Sequence, residues 1–237
     1  MINSYVDYVT GVDDPKTSSD RTLFERVSVS TLVKFIVFSV LVMSILTHLL
    51  TRLCSGETEW LGRMFVMSTL ASFFTSFAYT HFKYIAMGQI IYSFGIYGIM
   101  SIYYCLFANQ PPDLLFFQLS TPVVLQLTTC LLAGYHRDID EDKKAGIKTI
   151  CTILGKSNSI YFIGFLFFCY YLMLIFISLY FKNYLMLITL ISVVDVYRLL
   201  KRGLNGSTQR FNFEAFRASG PSYFLYILSI LIHGKIN

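Results

Sequence analysis

Four carboxylates crowd into five positions at Asp138, Asp140, Glu141 and Asp142, in a chain that is 55% apolar. If this run is helical, Asp138 and Asp142 share a face about one turn, or 5–6 Å, apart. Like charges so placed repel by a few tenths of a kcal/mol, about 0.2–0.5, so a cation held between them makes the arrangement favourable. Hard oxygen ligands suit a hard divalent cation, and Mg²⁺ is commonly held by one or two carboxylates plus substrate phosphate oxygens. Arg137, Lys143, Lys144 and Lys148 flank the run and can grip the remainder of an anion. The plain alternative is a solvated charged loop between two membrane helices.

The elements that must position these residues are membrane helices. Only 14% of the 237 residues are charged, where soluble domains run near 25%. Apolar stretches close to the ~20 residues that cross a bilayer recur at about 29–51, 60–82, 85–107, 114–135, 158–181, 184–200 and 221–236. Residues 1–28 are polar, with Gly11 and Pro15 expected to break regular structure, and 201–220 reads as a long polar loop. His81 to Tyr84 joins the second and third stretches in a close hairpin, and Pro122 falls inside the fourth. The five cysteines form no CxxC pair and read as small apolar residues in helices.

Four crossings separate residues 1–28 from the acidic run, so both segments face one side. Most of the Lys and Arg fall on that side, and the positive-inside rule makes it cytosolic or matrix. Eight of the fourteen Asp and Glu residues lie in 7–20 and 138–142. Two such clusters bordered by cations make a site for divalent metal bridging a polyanion, and diphosphate fits best. Above an aromatic and aliphatic cavity, that site suits a diphosphate head on a long hydrocarbon tail. Loss of diphosphate from an allylic carbon leaves a carbocation, which an aromatic face stabilises by ~0.5–2 kcal/mol. Tyr79, Tyr84, Tyr92, Tyr97, Tyr103 and Tyr135 are candidates, although an aromatic membrane helix is ordinarily packing. No nucleic-acid partner is expected.

Asn3-Ser4-Tyr5-Val6-Asp7, then Gly11 and Asp13, then Asp20-Arg21-Thr22-Leu23, resembles the first Asp-rich motif of the UbiA superfamily of intramembrane prenyltransferases. The spacing is that of its MenA-like branch, which includes the eukaryotic UbiA-domain enzymes of menaquinone-type vitamin K synthesis. Asp138 to Asp142 followed by Ala145-Gly146-Ile147-Lys148-Thr149 resembles the second motif. Phe77 to Thr80 and Lys83 to Gly88 resemble the branch's hairpin. The likeness covers about residues 1–156, and the remainder only as a helix pattern. It implies an all-α polytopic bundle, a nine-helix α-barrel capped by Mg²⁺ and diphosphate. It also implies that Asn3, Asp7 and Asp13 serve one metal and Asp138 and Asp142 the other, with Asp7, Asp138 and Asp142 the catalytic carboxylates. Asn3, Arg21, Lys83, Arg137 and Lys148 are then the candidates for diphosphate contact. The expected reaction moves an isoprenoid chain, such as geranylgeranyl, from its diphosphate to a naphthoquinone-type acceptor.

Three departures stand out. Gln89 occupies a position after Gly88 that is usually acidic, Gly134-Tyr135 replaces an Asn pair, and the chain begins at a motif that normally ends the second helix. The expectation is a single domain over 1–237, truncated at its N-terminus, with seven of nine helices. It would lie in an endoplasmic reticulum, Golgi or mitochondrial membrane, or in a bacterial inner membrane. The competing expectations are 4-hydroxybenzoate prenylation for ubiquinone, a non-catalytic isoprenoid- or sterol-responsive protein, and a small transporter. Carboxylates kept at one face argue against the last.

Overall fold

The computed structural model describes residues 1–12, 15, 21–54, 59–108, 110–206 and 210–233. Among these there are helices and no strand. The chain divides into two compact units, one of Met1–Pro112 with Glu141–Ile147, the other of Asp113–Asp140 with Lys148–Asn237.

The first unit opens with α1, Ile2–Val9, followed by a π-helical turn at Thr22–Arg26. Three long helices follow: α2, Val29–Cys54; α3, Glu59–Lys83; and α4, Gly88–Ala108. The polar segment before residue 28 therefore begins with a helix, Ile2–Val9. The helix stops where expected, since Gly11 adopts a left-handed φ of +72°. The α3–α4 pair is the predicted hairpin, with Gly95 of α4 facing Thr75 of α3 across it. Few residues of α2 are fully buried inside the protein, and Phe35, Phe38, Leu41 and Ile45 are exposed on it. In a membrane, those side chains meet lipid.

The second unit contains α5, Leu114–Arg137; α7, Ile150–Tyr180; α8, Val193–Leu204; and α9, Phe211–His233. The six-residue α6, Ile139–Lys144, precedes α7 in the chain. Asp113 caps α5 by accepting the Phe116 N–H at 2.8 Å, and Thr149 forms a capping box at the start of α7. Buried polar side chains tie these apolar helices together. Gln126 donates to the carbonyl and hydroxyl of Ser219, both at 3.0 Å. Tyr170 meets Ser222 at 2.9 Å, and Asn183 donates to the Ser229 carbonyl at 3.0 Å. Lipid is as apolar as leucine, so such bonds and small residues carry much of helix association in a membrane.

Two expectations for this half are corrected. The sixth stretch is not one α-helix: Tyr184–Ser192 is 3-10 helical and only then does α8 begin. Residues 201–220 are not a loop throughout, because α8 runs to Leu204 and α9 starts at Phe211 and continues through Pro221. Proline is tolerated there, ten residues into α9, because membrane helices re-satisfy freed carbonyls through neighbours. Among the described residues, four segments are long and apolar enough to cross a membrane: Val29–Leu50, Leu114–Arg137, Ile150–Tyr180 and Phe211–His233. At 1.5 Å per residue, α3 and α4 also reach about 37 and 31 Å, the span of a hydrocarbon core.

Candidate functional site

In the first unit the site grows from α1. Helical geometry puts Asn3 and Asp7 on one face, and Asn3 Nδ2 donates to Asp7 Oδ2 at 2.7 Å. Asp7 is buried, at 5% exposure, and a bare carboxylate would not persist there. Lys83, the last residue of α3, supplies the countercharge at 3.2 Å, and the Tyr84 hydroxyl donates to the other carboxylate oxygen. Lys83 Nζ also stands 5.9 Å from the centre of the Tyr84 ring. Burial by itself lowers the pKa of Lys83. The Asp7 and Asp142 carboxylates, with the hydrogen bond to Asp7, outweigh that and hold it above the ordinary lysine value. Asp142 is itself buried.

The backbone closes in the same way after both aspartates. The Val12 N–H donates to the Asp7 carbonyl at 2.9 Å, and Gly11 N–H donates to Tyr8 at 3.2 Å. At α6 the Ile147 N–H donates to the Asp142 carbonyl at 2.8 Å, and Gly146 N–H donates to Lys143 at 3.2 Å. Gly146 has φ +73°. Each is a Schellman closure, and each requires a left-handed residue four positions after the aspartate. The α3 terminus has the same bonds, Met87 to Phe82 and Ala86 to Lys83, but the left-handed residue is Ala86 at φ +62°.

The acidic run is not one continuous helix. Asp138 closes α5 in a non-helical conformation while Asp142 lies in α6, so the expected pairing of the two on one helical face is corrected. In the second unit, Arg137 grips Asp138 with two bonds, Nε to Oδ1 at 2.6 Å and Nη2 to Oδ2 at 2.7 Å. Its Nη1 donates to Asn212 Oδ1 at 3.1 Å. Asp140 pairs instead with Lys156, both well exposed. Lys148 is exposed, and Arg21 pairs with Glu25 on its own turn. Asp13 lies outside the described residues. Tyr84 and Asn212 were not singled out for these roles. The place of Tyr84 beside Lys83 in the hairpin was the available signal, whereas nothing local marks Asn212.

A cavity of about 550 Å³ lies within the first unit. Met1 and, from α1, Ile2 and Asn3 line it with Ile36, Val40 and Met43 of α2, Phe73 and Tyr79 of α3, and Tyr92, Ile96 and Ile99 of α4. Its walls are largely apolar, and the Tyr79 and Tyr92 rings stand 6.4 Å apart. Asn3 joins the cavity to the carboxylate, since it lines one and holds the other.

A hard cation fits the donor set of this unit. Asn3 Oδ1 is buried without a hydrogen-bond partner, one helical turn from the Asp7 carboxylate. Among the described residues no three His, Cys, Asp or Glu side chains form a metal-holding group, so such an ion would draw its other ligands from substrate oxygens and water.

Residues 1–220 match the UbiA prenyltransferase family. The chain belongs to that family. Within it, the chain is 30% identical over 167 residues to UbiA prenyltransferase domain-containing protein 1 of Mus musculus, covering 67% of this chain and 47% of the relative. The Homo sapiens protein of that name gives the same identity and coverage. The Drosophila melanogaster homolog is 27% identical over 218 residues, covering 88% of this chain and 57% of the relative. The chain thus spans about half the length of the curated relatives it matches. No solved structure gives a significant match. UbiA membership and the four apolar helices together make the chain an integral membrane protein.

Proposed function

We propose that the chain transfers an isoprenoid chain from a polyprenyl diphosphate to a naphthoquinone-type aromatic acceptor, with Mg²⁺ as the cofactor. Asn3 carries the reading: its amide holds the buried Asp7 carboxylate and its side chain lines an apolar cavity of a size suited to a hydrocarbon tail. Asn3, Asp7 and Asp142 would hold the ion in the first unit, with Asp13 assigned by resemblance alone, and Asp138 in the second. Bound Mg²⁺ supplies charge neutralisation for a departing diphosphate.

The protein's own groups do the remainder. Lys83 and Arg137 offer fixed positive charge to phosphate oxygens, and Arg21 and Lys148 are further candidates. Tyr79 and Tyr92 present ring faces to the allylic carbon as it becomes cationic. The apolar wall keeps water from capturing that cation. The acidic motifs would face the cytosol or matrix.

The test is transfer of labelled geranylgeranyl diphosphate to a naphthoquinone-type acceptor in membranes carrying the chain. Transfer lost on Asp7→Asn, on Asp138→Ala and on chelation by EDTA is the expected result. Product that survives all three treatments overturns the metal-assisted reading. Diphosphate binding without turnover favours a non-catalytic isoprenoid-binding relative, a reading to which Gln89 lends weight.

A further inference from the structure

Gln89 is 6% exposed, and both its amide nitrogen and its amide oxygen lack a hydrogen-bond partner. A buried polar group left unpaired is costly, and here one side chain leaves a donor and an acceptor unpaired together. The other buried side chains so recorded among the described residues, Asn3, Ser120, Gln126 and Asn183, each leave a single oxygen unpaired. Helix periodicity places Gln89 in line with cavity-lining residues of α4, although Gln89 itself does not line the cavity. Gln89, Tyr92, Ile96 and Ile99 fall at i, i+3, i+7 and i+10 of α4, one stripe of a helix. The last three line the cavity. Gln89 therefore heads that row one turn beyond Tyr92, at the end of the hairpin that carries Lys83 and Tyr84.

The chemistry of the amide selects its ligand. A diphosphate offers only acceptors and would leave Gln89 Oε1 unpaired. A phenolic or hydroquinone edge offers O–H and oxygen lone pairs together, matching both groups of the carboxamide. We infer that Gln89 is a specificity-determining residue that hydrogen-bonds a ring oxygen of the aromatic acceptor at the polar end of the cavity, an inference that rests on the transfer reaction proposed above. Gln89 donates through Nε2 and accepts through Oε1. Being an amide, it cannot take a proton from the acceptor, so it favours a substrate whose ring oxygen is recognised as a neutral group.

The experiment uses the full chain in phosphatidylcholine nanodiscs, with equilibrium binding of 1,4-dihydroxy-2-naphthoate and of geranylgeranyl diphosphate measured separately. Gln89→Met keeps the length of the side chain and removes both polar atoms. It should weaken naphthoate binding about tenfold, leave diphosphate binding within twofold, and hold or raise the unfolding midpoint of the unliganded protein. Unchanged naphthoate affinity overturns the inference, as does loss confined to the diphosphate. A wild-type chain that binds diphosphate but not the naphthoate overturns the acceptor reading itself, a distinguishable result. If Gln89→Met fails to assemble, Gln89→Leu also removes both polar atoms and should weaken naphthoate binding in the same way, with undiminished affinity again overturning the inference.

Discussion

Lys83 Nζ donates to Asp7 Oδ2 at 3.2 Å, joining the end of α3 to α1, and the two side chains are only 13% and 6% exposed. A buried pair of this kind is weak evidence for stability, but breaking it by removing one partner strands a charge. Lys83→Met is therefore expected to destabilise the protein by roughly 3 kcal/mol. The double variant Lys83→Met/Asp7→Asn should recover most of that loss in a thermal-unfolding cycle. Equal destabilisation by the single and double variants would show that the lost charge is not the cause.

The pH dependence of this pair follows from the direction of the Lys83 shift. Its folded pKa lies above the unfolded value, so the stabilisation is complete below the ordinary lysine range of about pH 10.4 and is lost as pH rises through the folded value. Unfolding midpoints of the wild type minus those of Lys83→Met should therefore be constant from neutral pH to about pH 9 and shrink above the lysine range. A difference that already falls between pH 7 and 9 contradicts this assignment.

Arg137 holds Asp138 through two parallel bonds and Asn212 through a third. Lysine cannot reproduce that fork. Prenyl transfer by Arg137→Lys is expected to fall about tenfold, equivalent to ~1.4 kcal/mol, with Asn212→Ala giving a smaller loss. Initial rates at saturating diphosphate would measure both.

Gly203 of α8 is buried where a Cβ would lie 2.3 Å from Ile160 Cδ1 and 2.8 Å from the Phe211 ring. Ile160 is on α7 and Phe211 begins α9, so this glycine sets the approach of three helices. Gly203→Ala should destabilise the second unit by about 1–3 kcal/mol despite the better helix propensity of alanine. Hydrogen exchange would find the loss in α7, α8 and α9.

Ala86 takes the left-handed position that closes α3, where glycine is unstrained. Ala86→Gly is expected to stabilise the fold by up to ~1 kcal/mol, with relief of backbone strain exceeding the added freedom of the unfolded chain. A lower unfolding midpoint for this variant would refute that.

Much of the first unit's site could be read from spacing. Asn3 and Asp7 fall at i, i+4 and are bonded, and the glycines after Asp7 and Asp142 are the turn residues their helices need. Charge pattern and hydropathy likewise located the helices whose apolar stretches are uninterrupted. The break at Tyr184–Ser192 was invisible because its composition is as apolar as a crossing helix, and its short-range bonds decide its form. The start of α9 was obscured by Asn212, Glu214 and Arg217, polar residues on a helix that still buries Phe211 and Ala215. Asn212 could not be foreseen as a partner of Arg137, because 75 positions separate them and only the fold brings them together.

The three carboxylates with clearest claims on a cation share one backbone circumstance: Asp7 lies in the last turn of α1, Asp142 in the last turn of α6, and Asp138 at the C-cap of α5. The C-terminal end of a helix carries a partial charge of roughly −0.5 from aligned peptide dipoles. Each aspartate thus adds its charge to a field already negative, which favours a cation drawn to it. Replacing Asp7 and Asp142 by asparagine would remove the side-chain charge and leave the peptide field, so such a variant should keep a weak, salt-sensitive attraction for divalent ions.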